Sequence, residues 1–161
     1  MRSTARIQIA APIDSVWAIV VDPTRALSYM SGVTRWEVVS EEPTGLGARY
    51  RMLMRVGSAE VGGLIEIVEF DAPSDLAWTS VTGVDQRGRF RLRTERNGRT
   101  RVELRLAYGV AGSGVFGLIA ERIAAPIVRA HLRRSLQQLK RLVEYEQLRA
   151  RAAERRAARA A

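Results

Sequence analysis

The chain holds a single histidine, His131, and no cysteine. Those two facts remove disulfides, zinc–thiolate centres, cysteine nucleophiles and multi-histidine metal sites, and they force any Ser-His-Asp catalysis through one imidazole. His131 lies among Arg129, Arg133 and Arg134. Their charges oppose its protonation, and a general base needs a positioned partner and an inward orientation, so a half-exposed structural histidine fits better. The carboxylates available for acid–base work are Glu66, Glu69, Asp71 and Glu121. None forms a pair at a recognisable spacing, and no nucleophile–base set of the kind acyl transfer needs is visible. Gly112-Ser113-Gly114-Val115-Phe116-Gly117 has the spacing of a dinucleotide-binding loop. Such a site also needs a βαβ unit and an acidic residue about 20 positions on. No strand pattern follows this segment, and positions 131–137 hold no Asp or Glu. The glycines read instead as a flexible loop or gate, and no metal or cofactor is expected.

The frame around these residues is one domain. A chain of 161 residues supports one sizeable core and not two. With 47% apolar and 27% charged residues it has the composition of a folded globular protein. The formal net charge of +9 favours anionic partners, whether nucleic acid, an acidic membrane surface or an acidic protein. Lys140 is the only lysine, so the excess is almost all arginine, which also serves simply to solvate an outer face. No apolar segment resembles a secretory signal and none reaches the roughly 18 residues of a membrane span, so a cytoplasmic location is expected.

Local patterns give the element order. Arg6-Ile7-Gln8-Ile9-Ala10 alternates with period two, the mark of a half-buried strand. Pro12 is preorganised for a first helical turn, and Ile13, Val16, Trp17 and Val20 then fall on one helical face. A second short helix is expected over 24–30, ended by Gly32. Strands are expected over 33–42, 47–56, 59–70, 75–82, 87–96 and 100–109, joined by short turns and therefore antiparallel. Asn97-Gly98 predicts a type I′ hairpin turn, with positive φ at both residues. Alternation puts Tyr50, Met52, Met54, Phe90, Leu104, Leu106 and Tyr108 on one sheet face and arginines on the other. From Ser113 onward the chain reads as helix, striped by Val128, Leu132, Ser135, Leu136, Leu139, Leu142 and Val143. Pro126 predicts a kink or a two-piece helix. The stripe ends at Glu146, so 1–146 reads as the domain and 147–161 as a basic, Ala/Arg-rich frayed or solvated helix.

Several segments carry a resemblance to a known family. Ile9-Ala10-Ala11-Pro12 running on to Val16-Trp17 and Asp22 resembles the opening motif of the START/Bet v 1-like (SRPBCC) superfamily, which includes polyketide cyclases/dehydratases and lipid-transport proteins. Gly45-Leu46-Gly47, Ile67-Val68-Glu69-Phe70-Asp71-Ala72-Pro73, Gly98-Arg99-Thr100-Arg101-Val102 and Leu136-Gln137-Gln138-Leu139-Lys140 resemble further motifs of that group, and together the matches cover residues 5–145. The resemblance implies an α+β helix-grip fold: a curved seven-stranded antiparallel sheet around a long C-terminal helix, with two short helices after the first strand.

That fold implies an apolar pocket between sheet and helix. Its expected walls are Tyr50, Met52, Met54, Trp78, Phe90, Leu104, Leu106 and Tyr108 from the sheet and Phe116, Ile119, Ile123 and Ile127 from the helix. Three functions remain open at this level. The first is binding of a hydrophobic small molecule such as a lipid, polyketide or isoprenoid, oriented by the Tyr50 and Tyr108 hydroxyls. The second is a cyclase or dehydratase, for which Tyr50, Tyr108, Glu66 and His131 are the visible polar groups. The third is an interaction protein that uses its basic face to meet an acidic membrane or acidic protein. Nucleic-acid binding is disfavoured, because the aromatics lie on the face opposite the arginines. Oligomeric state is not readable.

Overall fold

The computed structural model describes residues 1–109 and 115–160, with side chains omitted over 115–123. The elements run β1 (Arg2–Ile9), α1 (Ile13–Val20), a 3-10 turn (Pro23–Arg25), α2 (Ala26–Tyr29), β2 (Val33–Val38), β3 (Arg49–Val56), β4 (Ala59–Asp71), β5 (Asp75–Ser80), β6 (Gln86–Thr94), β7 (Thr100–Tyr108) and α3 (Val115–Ala160). The seven strands form one antiparallel sheet in the order β1-β7-β6-β5-β4-β3-β2, so every short connection makes a hairpin and β1 closes on the last strand. No helix among the described residues is long and apolar enough to cross a membrane.

The start of α1 shows how the sequence sets this up. Pro12 takes an extended conformation, and its carbonyl accepts from Ser15 N at 3.1 Å, opening the first turn. Val16, Trp17, Ile19 and Val20 are buried. Thr100 Oγ1 donates to Ala11 O at 2.8 Å in a buried contact, pinning this turn to β7. Asp22 Oδ1 then accepts from Thr24 N at 2.9 Å, which starts the next turn of helix. The core lies where α3 crosses the sheet: Leu132, Leu136, Leu139 and Val143 meet Ile9, Leu92, Val102 and Leu104, all buried. Gly88 has no side chain because a Cβ there would sit 1.9 Å from Trp78 Cζ2; the indole lies across that strand.

Three expectations need correcting. Only Gly98 of the Asn97-Gly98 pair has positive φ, so the turn is not type I′. Gly98 N bonds Glu95 O and Glu95 N bonds Arg99 O; the longer loop is satisfied by a turn over 95–98 followed by one left-handed glycine. Strand β2 stops at Val38 instead of reaching residue 42. Helix α3 is one element through Pro126, not two pieces. The tertiary packing of the stripe beyond it keeps the helix continuous where the local signal suggests a break.

Arginines occupy the outer sheet face, as alternation predicts, and most pair with carboxylates. Asp75 is the most connected of these. It is buried and lies 2.8 Å from Arg93, 3.0 Å from Arg91 and 3.4 Å from Arg89. Past Gln147, whose Nε2 donates to Ser15 Oγ at 2.7 Å, the residues of α3 are exposed apart from the half-buried Ala152.

Candidate functional site

Between the concave sheet face and α3 lies a cleft of about 560 Å³ at the end of the sheet where β6 begins and β7 finishes. That volume falls in the range of roughly 300–1,000 Å³ typical of small-molecule sites. Met52, Met54, Val61, Val84, Leu106 and Val128 make it mainly apolar. One wall is main chain. A Cβ on Gly62 would lie 2.1 Å from Met52 O, and one on Gly83 would lie 2.0 Å from Gly62 O. Only glycine lets β4 come this close both to β3 and to the segment after β5.

The polar inventory is short. Gln86 begins β6, faces inward and is 5% exposed. Its backbone N–H bonds Ser80 Oγ at 3.1 Å, but its carboxamide makes no hydrogen bond among the described residues. Tyr108 is its direct cross-strand partner, with a hydroxyl donating to Met1 Sδ at 3.3 Å. Glu60 sits exposed at the rim, 3.7 Å from Arg55. No group of His, Asp or Glu among the described residues is arranged to hold a metal.

Of the residues expected to wall a pocket, the structure brings Met52, Met54, Leu106 and Tyr108 to this cleft. Tyr50, Trp78, Phe90 and Leu104 are buried in the packed core instead. Tyr50, Trp78 and Phe90 border a void of only about 20 Å³. Tyr50 stacks on Trp36 at 5.2 Å and donates its hydroxyl to Pro43 O at 2.7 Å, so that hydroxyl is already committed. Burial raises its pKa, partly offset by the Thr44 contact. Ile127 is half-buried and does not line the cleft; Ala124 and Val128 do so from α3. Phe116, Ile119, Ile123 and Glu121 lie outside the described side chains and Gly112–Gly114 outside the described residues, while Val115–Gly117, expected as part of a loop, open helix α3.

His131 does not enter the cleft. Its Nε2 bonds Arg55 O at 3.1 Å, a carbonyl that only accepts, so Nε2 carries the proton; Nδ1 faces Ser31 Oγ at 3.3 Å. Ser135 Oγ accepts from Ser31 N and donates to His131 O, both at 2.8 Å. The imidazole thus fastens α3 to the turn after α2 and to β3. Glu66 pairs with Arg49 at 2.6 Å and Glu69 with Arg89, while Asp71 is exposed in a turn. None of these carboxylates serves the cleft.

Gln86 and Ala124 were missed, and Val128 was read only as part of the helix stripe and not as a cleft wall, although periodicity reaches all three. Carrying the β6 alternation of Gly88, Phe90 and Leu92 back one step reaches Gln86. Carrying the buried stripe of α3 back by four from Leu132 reaches Val128 and Ala124, one position off the face that Ile123 and Ile127 define.

A seven-stranded antiparallel sheet gripping a long C-terminal helix, with an apolar cleft between them, is the helix-grip class. A family model described as "Polyketide cyclase / dehydrase and lipid transport" matches residues 1–144, and the chain belongs to that family. Among solved structures, TTHA0849 from Thermus thermophilus matches with a TM-score of 0.77 and 24% identity, covering 89% of this chain and 97% of that one. The Zhui aromatase/cyclase from Streptomyces sp. R1128 matches with a TM-score of 0.76 and 18% identity over 89% of this chain and 93% of its own. The di-domain aromatase/cyclase BexL matches at 0.62 and 19%, with 89% of this chain aligned to 46% of that one. No curated protein matches in sequence. At these identities the solved structures establish the fold.

Proposed function

We propose that the chain binds an apolar small molecule in the sheet–helix cleft and orients it by a hydrogen bond from an oxygen of the ligand to the Gln86 carboxamide. One observation carries this reading: Gln86 is 5% exposed, lines a mainly apolar cleft, and its carboxamide is bonded to nothing among the described residues. An amide at the cleft surface that no described protein group engages is free to bond a ligand oxygen, for a net gain of about 1 kcal/mol. The family's lipid-transport and cyclase descriptions both concern apolar ligands, in keeping with this reading. Binding is favoured over catalysis because Glu60 and Tyr108 are the only titratable groups among the described cleft residues. Glu60 is exposed and ion-paired, so the described cleft residues include no proton-transfer pair of the kind a cyclase or dehydratase uses.

The test compares 2-naphthol with naphthalene as probes, by fluorescence titration. Wild type is expected to prefer naphthol; Gln86→Leu is expected to lose about fivefold of that preference, the ~1 kcal/mol of one neutral hydrogen bond. Val128→Trp fills the cleft and is expected to abolish binding of both. Equal affinity for the two probes in wild type would remove Gln86 from its role, and unchanged binding in Val128→Trp would remove the cleft.

A further inference from the structure

On the opposite face of the sheet lies a second concavity, of about 480 Å³. Its floor is made of small residues, Ala77 and Ala107, and its margin of Arg2, Arg87, Arg89 and Arg105. An arginine-rich outer face alone means little. The pattern of pairing within it means more. Every arginine in the seven strands has a carboxylate within salt-bridge distance except Arg2 and Arg87. Among the described residues these two have no partner at all, and both border this concavity.

The register explains how they act together. Arg2 and Arg87 are the cross-strand neighbours of Ala107 on either side. Their Cα atoms are therefore two strand spacings apart, about 10 Å. Side chains of arginine length can reach each other across that gap, over the Ala107 methyl group. Thr79, the next cross-strand partner of Arg87, adds a hydroxyl to the same margin. Arg89 is already paired with Glu69 and Asp75, and Arg105 with Glu103 at 2.5 Å. The half-exposed flank of Ala77, with Val68 beside it, leaves room for a carbon moiety.

We infer that this outer-face concavity is a phosphate-binding site, in which Arg2 and Arg87 clamp the phosphate of a phosphoester above Ala107. Two guanidinium forks match a phosphate's three acceptor oxygens, and a chain of net charge +9 attracts the ligand at long range. The site is separate from the cleft and does not depend on what the cleft binds.

Phenyl phosphate, titrated by calorimetry at low ionic strength, is the soluble probe. Saturable binding is expected. Arg2→Gln and Arg87→Gln, both at exposed positions, are each expected to weaken it about tenfold or more, as loss of a charge-assisted hydrogen bond does. Arg96→Gln removes the same charge from an exposed turn and is expected to change affinity less than about twofold, the residue of long-range screening. Val128→Trp, which fills the inner cleft, is expected to leave the titration unchanged. Vesicles of phosphatidylcholine with and without phosphatidic acid give the second arm. Recruitment to phosphatidic acid that Arg87→Gln abolishes assigns a lipid headgroup; saturation by phenyl phosphate without recruitment assigns a soluble phosphoester. Absence of binding in both arms overturns the proposal, and so do equal losses in the three arginine variants or loss in Val128→Trp.

Discussion

Replacing Gly32 by alanine tests the contact that ties α3 to the rest of the domain. Gly32 has φ of +82°, and an added Cβ would lie 2.6 Å from both Cε1 and Nδ1 of His131. The left-handed backbone costs an alanine about 1–2 kcal/mol. Displacing the imidazole costs a further ~1–3 kcal/mol of overpacking. A total near 3 kcal/mol lowers Tm by about 6–12 °C for a domain of this length. His131→Ala alone removes the bonds to Ser31 and Arg55, about 2 kcal/mol at ~1 kcal/mol each. The informative quantity is the double variant. With the ring gone, Gly32→Ala retains only its backbone term, so the pair should cost about 3.5 kcal/mol, not about 5, a coupling of ~1.5 kcal/mol within the range found for residues in contact. Urea unfolding followed by tryptophan fluorescence measures all four corners, since the chain has three tryptophans. A coupling within about 0.5 kcal/mol of zero would refute the packing argument and, with it, the assignment of His131 as a structural fastener.

Asp75→Asn is expected to destabilise by about 1–3 kcal/mol, because the buried carboxylate loses charge-assisted bonds while the arginines regain water. Burial alone would raise the Asp75 pKa, but the hydrogen bonds from Arg93 and Arg91 outweigh it and hold the carboxyl below its ordinary 3.8. The unfolded chain therefore takes up this proton first, and the stabilisation is complete above that value and lost as pH falls through the folded one. The gap between wild type and variant should shrink as pH falls below about 5, and a gap that stays constant down to the acid unfolding of the variant would show that the charge is not its source. Truncation after Gln147 should leave Tm unchanged within about 2 °C, since it removes residues that are nearly all exposed; a larger fall in a thermal melt would show that the terminal helix supports the domain.

The fold was legible because its signals are local and repeated. Period-two alternation in β1, β3, β6 and β7, Pro12 ahead of α1, and the stripe from Val128 to Val143 each identify an element, and short turns leave little choice of topology. The site was harder to read because it depends on where the inner face is filled and where it is not. Tyr50, Trp78 and Phe90 have the same inward phase as Met52 and Met54. Only the stacking of Trp36 on Tyr50 and the indole lying over Gly88 decide that the aromatics close one end of the face. Gln86 escaped because the predicted strand began one residue too late. The Asn97-Gly98 turn shows the reverse error, a strong dipeptide preference overruled by the length of the loop it sits in.

The glycine wall of the cleft bears on how ligand preference can change over evolutionary time. At Gly62 and Gly83 the surface offered to a ligand is peptide group, and any side chain there collides with backbone oxygen at about 2 Å. That wall is in effect frozen: it cannot be recoloured by point mutation without moving the strands. Divergence in what the cleft accepts therefore falls to the side chains that line it, among the described residues Met52, Met54, Val61, Val84, Leu106, Val128 and the amide of Gln86. A library directed at those side chains samples the adaptable part of this cleft, and one directed at the glycines samples mainly unfolding.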